Sequence, residues 1–292
     1  MTPDQEEALP VVTERAFILV SNHINETKEM SEFSRQRVVL NVPGMDAITV
    51  ERNVRFTSAE SGTLSLDLYH PVESEDVVSP AIVFISGYPD PGFEKAVGCK
   101  FKELGAYVSW AQLVACSGMV GITYENVNPR EDARMVLEFV KQNADSLGVD
   151  PFRIGLWACS GNVPVALSLI SDPGIDLSCA VLCYGYSLDL NGHTEVADAS
   201  TQFGFVAAMA GKAVEDVRQV PFLVVRAGQD EMPGLNDSTD RFAASALTND
   251  LPMTLINYPK GTHAFDVSDD SDESRRTVTQ ILDYLQIHQS IE

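Results

Sequence analysis

Long apolar runs are missing from this 292-residue chain. The longest near the N-terminus, 16–20, is far short of the ~20 residues that a bilayer span needs, and no basic stretch precedes it to make a secretory signal. A chain without a membrane span, kept in the cytoplasm, is therefore expected. Lysine is scarce, with seven residues, and all basic residues together number 20 against 42 acidic ones, for a formal net charge of −22. A field of that sign repels phosphate backbones and anionic lipid headgroups, so nucleic acid and acidic membranes are poor partners. The surplus fits either ordinary acidic solubility or salt adaptation. Cysteine is sparse as well: Cys99, Cys116, Cys159, Cys179 and Cys183 are an odd count without the close pairs that metal sites use. Buried free thiols in a reducing compartment, and no metal, are expected. Repeats and low-complexity tracts are absent too. What is present is a 45% hydrophobic composition, enough for one large core or two modest ones, which excludes disordered and fibrous classes.

The chain opens with an acidic, loosely helical arm over 1–45, in which Val38, Val39 and Leu40 are the first residues expected to touch a core. From Ile48 the pattern changes. Short runs at 48–50 and 54–56, then the alternation over 64–69, read as an antiparallel hairpin around Ser61–Gly62 that Pro71 stops. Continuous apolar runs follow at 81–85, 119–124, 154–158, 180–184, 222–227 and 253–258, a pattern that suits strands buried on both faces. Helical periodicity fills the intervals at 101–115, 130–144, 163–170, 238–247 and 277–288. Alternation of this kind dictates right-handed crossovers. The fold class is α/β: a mostly parallel central sheet with the antiparallel hairpin at its edge and helices on both faces, forming one domain over 46–292. The exception is 187–219, too long for a plain connection and read as a small cap inserted over the strand ends. Its second half, Phe203 through Ala210, is apolar enough to face a pocket, a partner subunit in a homodimer, or its own core.

The most informative segment runs from Arg153 to Asn162, a buried strand that enters a helix through small residues. So tight a turn strains its middle residue and demands small neighbours two before and two after, here Ala158 and Asn162. It would lift the Ser160 hydroxyl clear of the sheet above a helix N-terminus, whose free N–H groups can hold developing negative charge. Cys159 is the rival nucleophile, but its flanking residue is the bulky Trp157. The segment resembles the nucleophile elbow of the α/β-hydrolase superfamily, with the best likeness to the serine esterase and dienelactone-hydrolase-like branches. The resemblance runs from about Ile48 to the C-terminus. The family pattern G-x-S-x-G is altered to Ala158-x-Ser160-x-Asn162.

A serine hydroxyl needs a base to take its proton and a carboxylate to orient that base. Asp230 follows the run at 222–227, and His263 follows the run at 253–258, each on a loop at the same end of a parallel sheet. The order Ser160, Asp230, His263 is the one the resemblance implies. Glu231 stands beside Asp230 as a substitute acid, and His193 in the insertion is the other histidine with reach. Ser86–Gly87–Tyr88–Pro89 is similar to the family's His-Gly-x-Pro loop, with Ser86 where the family has histidine. By that match the amides of Tyr88 and Gly161 form the oxyanion hole, and Gly87, Cys159, Asn162 and Tyr184 line the substrate site. The resemblance implies a serine hydrolase that cleaves carboxylic esters of small to medium acyl chains, with no cofactor and a small-molecule ester as substrate. Alternatives are a thioesterase or lactonase on the same site, or a noncatalytic binding protein that keeps the fold.

Overall fold

The structure is a computed structural model and describes residues 32–72 and 78–290. The arm expected over 1–45 therefore lies outside the described residues up to 31. Eight strands form one sheet: β1 (Thr49–Ser58), β2 (Gly62–His70), β3 (Ser79–Phe84), β4 (Val120–Tyr124), β5 (Val149–Cys159), β6 (Ala180–Cys183), β7 (Phe222–Ala227) and β8 (Met253–Tyr258). They lie in the order β1-β2-β4-β3-β5-β6-β7-β8. β2 pairs antiparallel with both β1 and β4, and all other neighbours are parallel. Around the sheet pack α1 (Asp90–Val97), α2 (Gly105–Cys116), α3 (Pro129–Gln142), α4 (Val163–Ser171), α5 (Glu195–Phe203), α6 (Leu235–Thr248), the single turn α7 (Phe265–Ser268) and α8 (Asp272–Gln289).

The period-2 geometry of a strand divides the core in two. Ala81 and Val83 of β3, with Ile85 just after it, join α3, α4 and α6 in one apolar layer, while Ile82 and Phe84 join α2 and α8 in the other. The central strands are buried on both faces, as their unbroken apolar runs require. β8 departs from that expectation: it is the sheet's edge, and Leu255 is 44% exposed. The single helix expected over 101–115 is broken at Leu104. Its first turn, Phe101–Glu103, is a 3₁₀ turn, and α2 starts at Gly105. The cause is the N-terminal segment, which crosses there: a side chain at Gly105 would meet the backbone of Arg35 and Gln36 at 2.6–2.8 Å. That segment is anchored by Val38, which is buried and whose N–H donates to Ser109 Oγ at 2.9 Å.

The runs at 48–50 and 54–56 merge into one strand through a bulge between Glu51 and Val54. There Asn53 takes a left-handed φ of 59° and its N–H donates to Asp67 Oδ1 at 2.8 Å. Under this bulge sits Lys102, buried despite its charge, donating to Asn53 Oδ1 at 2.7 Å, Ser65 Oγ at 2.9 Å and Asp67 Oδ1 at 3.1 Å. All five cysteines are free; Cys179 and Cys183 are buried, whereas Cys99, Cys116 and Cys159 are half-buried rather than fully enclosed.

The insertion contains α5, which its polar composition concealed. The helix is started by Asp189, whose carboxylate accepts from the N–H groups of Val196 and Ala197 at 2.8 and 2.9 Å, and is stopped by Gly204 at φ 78°. Within 203–210, Phe203, Phe205 and Met209 are buried in the chain's own core, whereas Gly204 and residues 206–208 are half-buried and Ala210 is exposed.

Removing the Lys102 ammonium leaves a buried carboxylate without its inner partner. Lys102→Met is expected to lower unfolding free energy in urea by about 3–5 kcal/mol, with the slope of the transition unchanged.

Candidate active site

The three sequence-predicted loops meet at the C-terminal edge of the parallel strands. β5 ends at Cys159, and the chain turns through a 3₁₀ turn, Ser160–Asn162, into α4. Ser160 itself has φ 53°, a left-handed backbone that costs a non-glycine residue of the order of 1 kcal/mol or more. Its Oγ lies 3.0 Å from His263 Nε2, and His263 Nδ1 lies 2.7 Å from Asp230 Oδ2. The Asp230 side chain is fully buried, and its second oxygen accepts from Met232 N–H at 2.9 Å. The acid and histidine loops are tied to each other: Gly228 N–H donates to Tyr258 O and Gln229 N–H to Gly261 O, both at 2.8 Å. Glu231 is exposed, and His193 is exposed beside Glu195, 3.1 Å away, so neither competes for these positions.

Cys159 is disfavoured by electrostatics as well as by position. Burial, with the Asp266 carboxylate as a second cause, pushes its thiol up to about 12, and a neutral thiol is a poor nucleophile.

The loop after β3 is held in a way its sequence did not reveal. Gly87 N–H donates to Asn162 Oδ1 at 2.6 Å, and Gly87 O accepts from Val206 N–H at 2.9 Å. Ser86, in the histidine position, instead closes the turn on itself: its Oγ donates to Tyr88 O at 3.1 Å and makes a long contact with Tyr88 N at 3.4 Å. Asn162, the departure from the elbow pattern, is thus the residue that joins the elbow to this loop. Gly87 was expected to touch substrate; both of its backbone polar groups bond to protein, and it is not among the residues lining the cavity. A side chain at Gly87 would collide with Gly161 O at 2.5 Å, so glycine is required for the close approach. Gly161 sits in the first turn, where N–H groups have no intrahelical acceptor.

Tyr184 and Asp266 complete the surroundings of the imidazole. Tyr184 follows β6 with φ 31°, an uncommon backbone for an aromatic residue, and its ring stands edge-on to His263 with centroids 5.2 Å apart. Its hydroxyl donates to Asp266 Oδ1 at 2.6 Å, and Trp110 Nε1–H donates to Asp266 Oδ2 at 2.7 Å. Burial holds the Asp266 carboxyl above the usual carboxylate range despite these two donors. Sequence reasoning missed Asp266. Its spacing from His263 was visible, but nothing local distinguishes it from the other aspartates of an acidic C-terminal region.

A cavity of about 1120 Å³ opens over Ser160 and His263. Its walls include Cys159, Asn162 and Tyr184, and one side is aromatic, with Tyr88, Phe93, Phe101, Tyr107 and Trp157 in contiguous ring contact. Among the described residues there is no group of three or more His, Cys, Asp or Glu placed to hold a metal ion, and no helix is long and apolar enough to cross a membrane.

No known family profile matches the sequence, and no curated protein matches it. Solved structures do. Carboxyl esterase 2 from the mycorrhizal fungus Tuber melanosporum superposes with a TM-score of 0.68 over 96% of this chain and 99% of its own, at 16% identity. Esterase LipW from Mycobacterium marinum gives 0.65 over 97% and 98%, at 16% identity. The esterase of Pyrobaculum calidifontis gives 0.63 over 90% of each chain, at 18% identity. A likeness that spans nearly the whole of each chain at so low an identity is one of backbone arrangement, and with the strand order and the elbow it establishes that this protein has the α/β-hydrolase fold.

Proposed function

We propose that this protein hydrolyses carboxylic esters of small to medium acyl chains through a serine acyl-enzyme. The observation that carries the reading is the unbroken line Ser160 Oγ–His263 Nε2, His263 Nδ1–Asp230 Oδ2 at 3.0 and 2.7 Å. In such a line the imidazole is oriented and its developing positive charge is balanced by a buried carboxylate. Ser160 Oγ attacks the ester carbonyl as its proton passes to His263 Nε2, and the carbonyl oxygen becomes an oxyanion held by the amides of Tyr88 and Gly161. The tetrahedral intermediate collapses, the C–O bond to the alcohol breaks, and the alcohol leaves with the proton from His263. Water then repeats the sequence on the acyl-enzyme, its proton going to His263 and on to Ser160 Oγ as the acid departs.

The named esterases among the solved structures of the same fold agree with this chemistry. The acidic surface favours neutral or cationic esters over anionic ones. Treatment with a fluorophosphonate is expected to give one covalent adduct, on Ser160. Absence of any adduct would instead favour the noncatalytic binding protein.

Ser160→Ala is expected to abolish hydrolysis of p-nitrophenyl butyrate, a loss of roughly 10⁴–10⁶ in kcat, without changing the melting temperature by more than a few degrees. Cys159→Ala should retain most of the rate. The reverse outcome would transfer the nucleophile to the thiol.

Asp230→Asn is expected to cut kcat by about 10⁴, because the histidine loses its correct tautomer. Glu231→Gln, on the exposed neighbour, should change kcat less than about tenfold. Steady-state kinetics on the two variants side by side separate these assignments.

A further inference from the structure

We propose that Phe205, in the segment inserted between β6 and β7, is a positioning residue that sets the distance between the two halves of the oxyanion hole. The inference rests on the ester-hydrolase reading above and adds a role for the insertion that the triad does not supply.

The two amides of the hole come from different elements, Tyr88 from the loop after β3 and Gly161 from the elbow. Preorganised donors stabilise an oxyanion only if their separation is already correct when charge develops. Something must therefore hold the two loops at a fixed spacing, and Phe205 touches both. Its ring lies against the Cα of Gly161 so closely that a side chain there would meet Phe205 Cδ1 and Cγ at 2.6 and 2.8 Å. The same ring stands edge-on to Tyr88, with centroids 6.0 Å apart.

The next residue completes the hold. Val206 N–H donates to Gly87 O at 2.9 Å, so Gly87, the residue before Tyr88, is held from the insertion side through its carbonyl and from the elbow side through the bond from its N–H to Asn162 Oδ1.

Phe205 is itself fixed from behind. It is 3% exposed, stacks on Tyr186 with centroids 5.3 Å apart and an interplanar angle of 23°, and packs with Phe203, Val196 and Leu235. Its carbonyl accepts from Ser200 Oγ at 2.7 Å, which ties it to the end of α5. Tyr186 in turn donates its hydroxyl to Pro233 O at 3.0 Å, on the loop that carries Asp230. One aromatic ring thus refers the oxyanion loop to the elbow and, through Tyr186, to the acid loop. It does so from outside the cavity, since Phe205 is absent from its walls. A substrate-wall role and a positioning role therefore predict different kinetics.

The test measures kcat and KM on p-nitrophenyl butyrate, the inhibition constant of a trifluoromethyl ketone that mimics the tetrahedral intermediate, and the melting temperature. The variants are Phe205→Ala, Phe205→Leu and Ser200→Ala. Active sites are counted by fluorophosphonate titration, so that rates refer to competent protein. For Phe205→Ala, kcat is expected to fall about 10- to 100-fold, less than the roughly 10²–10³ that outright loss of one oxyanion donor costs, because the donors are displaced and not removed. The ketone should weaken by the same factor, while KM stays within about threefold. Phe205→Leu should be intermediate. Ser200→Ala, which keeps the core filled, should show a smaller loss in the same two quantities, and it carries the test if Phe205→Ala does not fold.

Unchanged kcat and ketone affinity with a lowered melting temperature would make Phe205 a purely structural residue and overturn the inference. A rise in KM at constant kcat would make it a substrate wall and overturn it equally. If wild-type protein neither hydrolyses the ester nor takes the phosphonate, the ester-hydrolase reading itself fails and the inference falls with it. That outcome is distinct from an active wild type with unaffected variants, which overturns the inference alone.

Discussion

The left-handed backbone at Ser160 is the constraint from which the site is built. A strand that must become a helix within one residue places that residue at φ 53°, and the strain persists only because the neighbouring contacts leave no alternative. β5 is paired on both sides, to β3 and β6, so the residue cannot retreat along the sheet. α4 is apolar apart from Ser168 and Ser171 and is buried from Val163 through Ile170, which opposes unwinding of the helix to relieve the strain. Gly161 can carry no side chain because Tyr88 and Phe205 occupy the space. The hydroxyl is thereby presented at one point above the sheet edge, where it meets His263 and, through it, Asp230.

Around it the protein uses few charges and many short neutral contacts. The loop after β3 is held by Asn162, whose amide oxygen takes the Gly87 N–H. The bond from the elbow gives this loop a fixed point. The insertion supplies another through Val206. Fixing a glycine residue through both its N–H and its C=O restricts the backbone freedom that glycine otherwise brings to a loop.

The imidazole has a similar enclosure. Tyr184 stands against it, held in an uncommon backbone conformation by its hydroxyl bond to Asp266, and Trp110 holds the other oxygen of the same carboxylate. Asp266 makes no ion pair among the described residues, so its negative charge, where present, is felt by the nearby groups rather than neutralised. Burial is the main cause of the raised thiol of Cys159, and the Asp266 charge adds to it. Burial and a buried carboxylate thus raise the thiol beside the elbow, while the imidazole is hydrogen-bonded to the Ser160 hydroxyl.

The strand runs, the alternation of strands and helices, the turn at Ser160 and the loops of Asp230 and His263 were all legible in the sequence, because each follows from local rules. Burial on both faces leaves an unbroken apolar run, a tight strand–helix turn leaves small residues, and loops follow strands. What only the tertiary structure decided are relations between residues far apart in the chain. Asp189 starts α5 from outside the helix, so no adjacent cap announces it. The crossing of residues 35 and 36 over Gly105 splits a helix whose periodicity is continuous. β8 reads like the central strands, yet its place at the sheet edge exposes it, and edge position is a property of strand order. The apolar stretch at 203–210 had a legible composition but an illegible partner. Its burial against Gly161 and Tyr88 depends on where the insertion returns over the sheet, and a hydrophobic side chain carries no mark of which surface it will meet.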